Sequence, residues 1–217
     1  MPVRAMQPAD SLPLTLNSLP LFPLQTLLFP GGVLPLRVFE VRYLDMVRKC
    51  RQAGAPFGVV GLRQGHEVRR AGAAPEQLHE VGTLCTIGQF DAPQPGLVTL
   101  ECHGGPRFRI LHSHMLPHGL WVADVELLPG DAPVPVPPHL QTAAQALARV
   151  RTALQQRAPA PGTPGEQPDD CGWVANRWCE LLPIPLELKQ RLMQLDSPLV
   201  RLELVNDLLE RTGIAAP

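Results

Sequence analysis

The chain has 217 residues, of which 45% are hydrophobic and 18% charged, a composition that suits one large or two small globular domains and excludes a disordered polypeptide. Its 19 Lys and Arg residues nearly balance its 20 Asp and Glu residues, so no basic excess predicts nucleic acid or an anionic membrane as a partner. Its five cysteines form no Cys-x-x-Cys pair, which predicts reduced, mostly buried thiols and a cytoplasmic location.

The first informative segment is residues 11–36, which contains no charged residue. About 20 apolar residues are enough to span a bilayer as a helix. This segment, however, contains five prolines, and each proline removes a backbone N–H and breaks a helix. We therefore predict no membrane span here, but short buried strands over residues 19–24 and 34–38.

A helix is predicted over residues 39–53, followed by Gly54 at the position where helices commonly end. One apolar stripe runs along this helix and consists of Tyr43, Met46, Val47 and Cys50. Further strands are predicted over residues 57–62, 81–87, 97–102, 107–111 and 121–127, with Gly104 and Gly105 interrupting two of them. Short strands separated by turns favour a closed or nearly closed β barrel.

The second half of the sequence changes character. Residues 131–138 (DAPVPVPP) predict a stiff, extended connector. Residues 139–213 predict a bundle of about four helices, with a flexible loop over residues 158–168. Asp169 or Asp170 is the expected cap of one helix, and Ser197 with Pro198 begins the last. The β-rich part is accordingly assigned to residues 12–130.

Enzymatic chemistry finds little support in the sequence. No phosphate-binding Gly-x-x-x-x-Gly-Lys-Ser/Thr motif and no Gly-x-Ser-x-Gly motif occurs. The alternative to a binding protein is a small metal-dependent hydrolase or peptidase that uses the segment from His103 to His118. Within it, His112 and His114 would share one strand face, with Asp124 as a further ligand. An RNA-binding barrel is a third hypothesis and rests on fold analogy alone.

Several motifs occur in a fixed order along the chain. Residues 19–24 read LPLFPL, and residues 27–47 read LLFPGGVLPLRVFEVRYLDMV. They are followed by FGVV (57–60), VGTLCTI (81–87), GGPRFRI (104–110) and WCELLPIPLELKQRLMQLDSPLVRLELVNDLL (178–209). Together these motifs resemble the N-terminal substrate-binding domain of the ATP-dependent Lon proteases.

The resemblance implies a fold and a role. The expected fold is α+β: an N-terminal PUA-like β pseudobarrel with one helix packed on it, followed by a C-terminal helical bundle. The expected role is a non-catalytic module that binds unfolded or client proteins and peptides, as an adaptor or chaperone-like factor, with a separate ATPase or protease as a further partner. No catalytic residue, metal or cofactor is carried over, and the Lon ATPase and peptidase modules are absent from these 217 residues, so a free-standing form is expected.

Two groups of residues are candidates for the binding surface. The loop over residues 25–32 offers the apolar side chains Leu27, Leu28 and Phe29, which either face a client or belong to the core. Strand edges are a second way to hold a peptide. The charged residues Arg37, Glu40, Arg42 and Arg107, near Arg109, either orient a ligand carboxylate or form an ion-pair network that fixes the helix on the barrel.

Overall fold

The structure is a computed structural model that describes residues 14–67, 76–157 and 166–212. Its strands are β1 (Thr15–Leu24), β2 (Val33–Val38), β3 (Phe57–Gln64), β4 (Gln77–Gln94), β5 (Leu97–Met115) and β6 (Trp121–Leu127). Its helices are α1 (Val41–Ala53), α2 (Gln141–Arg157), α3 (Cys171–Leu181), α4 (Leu186–Gln194) and α5 (Pro198–Thr212), with a short 3-10 helix, Pro138–Leu140, before α2. Most of the predicted loop over residues 158–168, and Gly213, lie outside the described residues.

The strands form a ring, which confirms the predicted barrel-like, mixed α+β fold. The order β5–β4–β3–β1–β6 closes because β6 pairs back onto β5. All neighbours in the ring are antiparallel except β1 and β3, which run parallel. Strand β2 stays outside the ring and pairs with the first half of β5, from Val98 to His103.

Strand β5 differs from the sequence prediction of two strands. It runs without interruption through Gly104 and Gly105, and Gly104 permits a close approach of another backbone segment instead of breaking the strand. The backbone of the β1–β2 loop lies against Gly104, where Gly31 N–H donates to Gly104 O at 2.8 Å and Gly104 N–H donates to Gly32 O at 2.9 Å. A Cβ at Gly104 would collide with the carbonyl of Phe29. Glycine is therefore required by packing here.

The barrel interior is tightly filled around Phe108. A Cβ at Gly58 would lie 2.7 Å from the Phe108 ring, and a Cβ at Gly82 would lie 2.5 Å from it. Both glycines therefore allow β3 and β4 to pack closely against this ring. The other buried members of this cluster are apolar side chains of β1, β3, β4 and β6: Leu19, Leu21, Val60, Leu84, Ala123 and Val125.

Helix α1 packs on one end of the barrel through the predicted stripe. Tyr43, Met46, Val47 and Cys50 are buried there with Phe22 and Phe57 of β1 and β3. The helix begins two residues later than predicted because Glu40 is extended, with φ −74° and ψ 133°. Gly54 adopts the left-handed conformation (φ 61°) and ends the helix as predicted.

The C-terminal helices enclose their own apolar core, whose largest side chain is Trp178, with its indole N–H donating to Ala143 O at 3.0 Å. The predicted caps are confirmed: the Asp170 carboxylate accepts from Trp173 N–H at 2.9 Å, and Ser197 Oγ accepts from Val200 N–H at 3.3 Å. Leu27 and Phe29 of the β1–β2 loop and Val81 of β4 belong to the same core. The bundle is thus joined to the barrel by shared apolar packing.

Candidate protein-binding surface

Two large apolar side chains are exposed where β2 passes into α1. Phe39 is 57% exposed and Val41 is 72% exposed, on either side of Glu40. Both result from the local backbone, because the chain stays extended at Glu40 and α1 buries the face that carries Tyr43 and Met46. We call Phe39, Glu40 and Val41 the β2–α1 ridge. Exposed apolar side chains grouped in this way are typical of interaction sites.

A hollow lies on each side of this ridge. The β2 hollow has a volume of about 170 Å³ and is lined by Phe39, by the aromatic rings of Phe22 and Tyr43, and by the backbone stretch of β2 up to Val38. The α1 hollow has a volume of about 320 Å³, and its apolar lining residues are Val41, Met46 and Leu120. Charged and polar groups line its rim: Asp45, Lys49 and His118. The ridge and hollows together form a mixed apolar and polar surface.

The predicted pair Glu40 and Arg42 fixes the ridge on the barrel. Arg42 is buried, and its Nε donates to Glu40 Oε2 at 3.1 Å while its Nη1 donates to Gly119 O at 2.6 Å. A second carboxylate, Glu76, lies 4.0 Å from Arg42 Nη1. The guanidinium also lies over the Tyr43 ring, 4.5 Å from its centroid. The start of α1 is thereby held against the β5–β6 turn, and Arg37 stands exposed nearby on β2.

The candidate loop residues lie elsewhere. Leu27, Leu28 and Phe29 are all buried, with Phe29 fully inaccessible, so in this conformation they belong to the interior and not to an exposed apolar patch. Arg177 of α3 holds the loop from the bundle side, since its guanidinium donates to Pro30 O at 2.9 Å and to Gly31 O. The same guanidinium is paired with Glu180 at 2.7 Å.

The comparisons with known proteins concern the domain as a whole. The family model of the ATP-dependent protease La (Lon) substrate-binding domain matches residues 18–211. The chain belongs to the Lon substrate-binding domain family. The resemblance seen in the sequence motifs is therefore confirmed.

Individual Lon proteins agree with this assignment. The Lon protease of Anaeromyxobacter dehalogenans (strain 2CP-C) is 28% identical over 199 residues, which is 89% of this chain but only 23% of that protein. A Lon N-terminal domain protein from Xanthomonas campestris has 33% identity and a TM-score of 0.68, covering 88% of this chain and 98% of that one. The N-terminal domain of a Mycobacterium avium complex Lon protease, at 17% identity and a TM-score of 0.53, covers 88% of this chain and 96% of that one and supports the fold.

Within this Lon-type domain, the contacts of Arg107 are with residues outside the β2–α1 ridge. It is buried between barrel and bundle, where its guanidinium donates to Met193 O at 2.6 Å and pairs with Asp131 at 3.3 Å. Arg201 of α5 joins the same carboxylate and donates to Asn176 Oδ1 at 3.0 Å. Of the four predicted charged residues, the structure thus brings Glu40 and Arg42 together, leaves Arg37 on the surface beside them, and places Arg107 in a separate network.

The residues of the enzymatic alternative lie at the surface of β5, β6 and the turn between them. His112, His114 and His118 are exposed; His112 lies opposite Asp124, and the Asp124 carboxylate accepts from Ser18 N–H at 2.9 Å. In the described part of the chain, no three His, Cys, Asp or Glu residues are grouped to hold a metal ion. All five cysteines are buried and free, and burial raises the pKa of Cys179 to about 12 and raises the pKa of Cys50. Thiols in such surroundings are poor nucleophiles.

No described helix is both long and apolar enough to cross a bilayer.

Sequence reasoning missed Phe39 and Val41 as surface residues. The helix predicted over residues 39–53 places Phe39 four residues before Tyr43, on the buried face. The signal for Val41 was present, because Val41 shares a helix face with Asp45 and Arg48 instead of the apolar stripe. An isolated apolar residue on a charged helix face is the pattern that could have found it.

Proposed function

We propose that this Lon-type domain binds exposed apolar segments of unfolded client proteins at the β2–α1 ridge and its two hollows, as an adaptor or chaperone-like factor. The observation that carries the proposal is the exposure of Phe39 and Val41, each of which borders a hollow with further apolar lining residues. Removing a Phe or Val side chain from water contributes roughly 1.5–3 kcal/mol each. That gain suits the weak, reversible binding that release of clients requires.

The charged residues around the ridge support a selective surface. Arg37, Asp45 and Lys49 lie at the edges of the apolar area, where their charges keep the surface hydrated without filling the hollows. Such a polar rim around an apolar centre is the usual anatomy of a protein interface. The ion pair between Glu40 and the buried Arg42 holds the ridge in place, so the surface is formed before a client arrives.

The test is binding of a permanently unfolded, cysteine-blocked protein to the double variant Phe39→Ser, Val41→Ser. We expect affinity to fall at least about tenfold, because both apolar side chains are lost from the interface. A tenfold loss of affinity corresponds to a loss of only about 1.4 kcal/mol of binding free energy. Fluorescence anisotropy with a labelled client measures the affinity.

The matched control is Val200→Ser, Leu204→Ser on α5, whose side chains are 42% and 43% exposed. These residues lie on the helical bundle, so client binding should be unchanged. Equal binding by the ridge variant and the wild-type protein would exclude the ridge as the client site. Circular dichroism of both variants establishes that they remain folded.

A separate ATPase or protease is part of the same proposal. The family match is to a domain of an ATP-dependent protease, which supports delivery of bound clients to such a machine. Cross-linking in the native cell, followed by purification of the wild-type and ridge-variant proteins, tests it. We expect an ATPase to co-purify with both proteins, and clients with the wild-type protein alone. The five free thiols favour a cytoplasmic setting for this experiment.

A further inference from the structure

We propose that the client is held as an added β strand: an extended peptide pairs with the open edge of β2 and places one apolar side chain, flanked by a basic residue, in the β2 hollow. This inference rests on the proposed function and specifies how the client binds and which clients are preferred. It excludes clients that bind as helices.

The edge of β2 is open. β2 stands at the end of the strand order and pairs with β5 through the register Val33↔His103 to Val38↔Val98. Among the described strands, none pairs with its other side. The sequence of β2 fits a strand whose edge faces solvent, because Pro35 lacks an N–H and Arg37 is charged and exposed. Both features discourage uncontrolled pairing with other chains without covering the edge.

The β2 hollow lies directly beside this edge. Its wall is formed by β2 itself, and Phe22 and Tyr43 line its floor, with ring centroids 4.2 Å apart. Its volume of about 170 Å³ is several times the roughly 30 Å³ occupied by one water molecule, so it has room for one large apolar side chain. In an added strand, every second side chain points to the same face. One apolar side chain of the client, which we call the anchor, is thereby directed into the hollow. Hydrogen bonds between the two backbones supply the rest of the contact.

The charges around the hollow favour a basic neighbour for the anchor. Two carboxylates, from Glu40 and Glu67, line the hollow, and the carboxylate of Glu76 and the guanidinium of Arg42 also act electrostatically on Tyr43. Burial raises the pKa of the Tyr43 hydroxyl, and these carboxylates raise it further while Arg42 lowers it. Among the described residues that line the hollow, Glu40 and Glu67 outnumber Arg37, which leaves one negative charge in excess. A lysine or arginine beside the anchor is therefore attracted, and an acidic residue is repelled.

The experiment uses three versions of one labelled peptide of about ten residues, the upper length of a typical strand, that alternates leucine with lysine or threonine. Version one has a normal backbone. Versions two and three carry N-methyl groups on alternate amides in the two possible registers, which removes N–H donors without changing a side chain. Only one set of amides faces β2. We therefore expect one methylated version to bind about tenfold more weakly than version one, and the other methylated version to bind with the same affinity as version one.

The outcomes separate the two proposals. If version one binds and both methylated versions bind equally well, strand addition is wrong, although the client site stands. If version one does not bind while the unfolded client still binds the wild-type protein more tightly than the Phe39→Ser, Val41→Ser variant, this inference fails and the proposed function stands. If the unfolded client binds both proteins equally, the proposed function fails, and this inference with it. If the peptide competes with no client, but the free protein forms a dimer that Arg37→Glu dissociates, the edge belongs to a second copy of this chain and our inference is overturned.

A separate measurement tests the preference for a basic residue beside the anchor. Replacing lysine by glutamate in version one should weaken binding, and Glu67→Gln should reduce the difference between the two peptides. Glu67 Oε1 accepts a hydrogen bond from Gln25 N–H, and glutamine keeps an oxygen for this contact, so the variant removes charge with the fold intact. An unchanged preference in Glu67→Gln, at low salt, would exclude this carboxylate from client selection.

Discussion

Replacing Arg201 with alanine should lower the free energy of unfolding by about 3 kcal/mol, since removing one partner of a buried ion pair typically costs about 3–5 kcal/mol. The lower end applies because Arg107 remains paired with Asp131 at 3.3 Å after the substitution. Urea unfolding followed by tryptophan fluorescence measures the change as a shift of the midpoint at constant slope.

The size of this effect follows from the contacts of one side chain. Arg201 is 1% exposed, and its Nε donates to Leu192 O at 3.0 Å near the end of α4. Its other nitrogens bond Asn176 of α3 and Asp131, which follows the last barrel strand. One guanidinium thus satisfies groups on three separate segments. Alanine would leave each of them buried and without this donor.

The matched control is Arg191→Ala on α4, where the arginine is exposed and the cost should be within about 0.5 kcal/mol. Arg201→Lys should recover little stability, because an ammonium group lacks the planar fork that reaches several acceptors at once. A loss in Arg201→Ala no larger than in Arg191→Ala would show that Asp131 and the α4 carbonyls are satisfied by water instead.

Local patterns in the sequence predicted local structure well. The apolar stripe of α1, the glycine that ends it and the caps at Asp170 and Ser197 depend on neighbouring residues, and the structure confirms each. Strand β6 has the predicted bounds because its apolar side chains at every second position, from Trp121 to Leu127, pack into one barrel cluster. The prediction of two strands on either side of Gly104 was wrong for the same reason. In the sequence alone, a glycine pair looks like a strand break, and only the fold shows the loop that packs against it.

What the sequence could not supply was the pairing of distant segments. Periodicity does not reveal that β1 and β3 are parallel or that β2 lies outside the ring. Nor does it place Arg107 near Arg201, whose shared partner is set by how the bundle sits on the barrel. The candidate surface depended on the same information, since Phe39 and Phe29 look alike in the sequence, and only the fold buries one and exposes the other.

The second large effect concerns these two phenylalanines. Phe29→Ala should cost about 3–5 kcal/mol of stability, because a fully buried aromatic side chain leaves a cavity in the core shared by barrel and bundle. Urea unfolding measures this loss. Below the unfolding transition, client affinity should be unchanged, since Phe29 does not reach the surface.

Phe39→Ala is the matched control and should behave in the opposite way. Its side chain is 57% exposed, so stability should change by about 0.5 kcal/mol or less. Client affinity should fall, because this ring lines the β2 hollow. If Phe29→Ala instead abolishes client binding while the protein is still folded, the β1–β2 loop must open to meet the client, and the ridge would not be the whole site. Opposite effects of the two substitutions would separate the residue that joins barrel to bundle from the residue that meets the client.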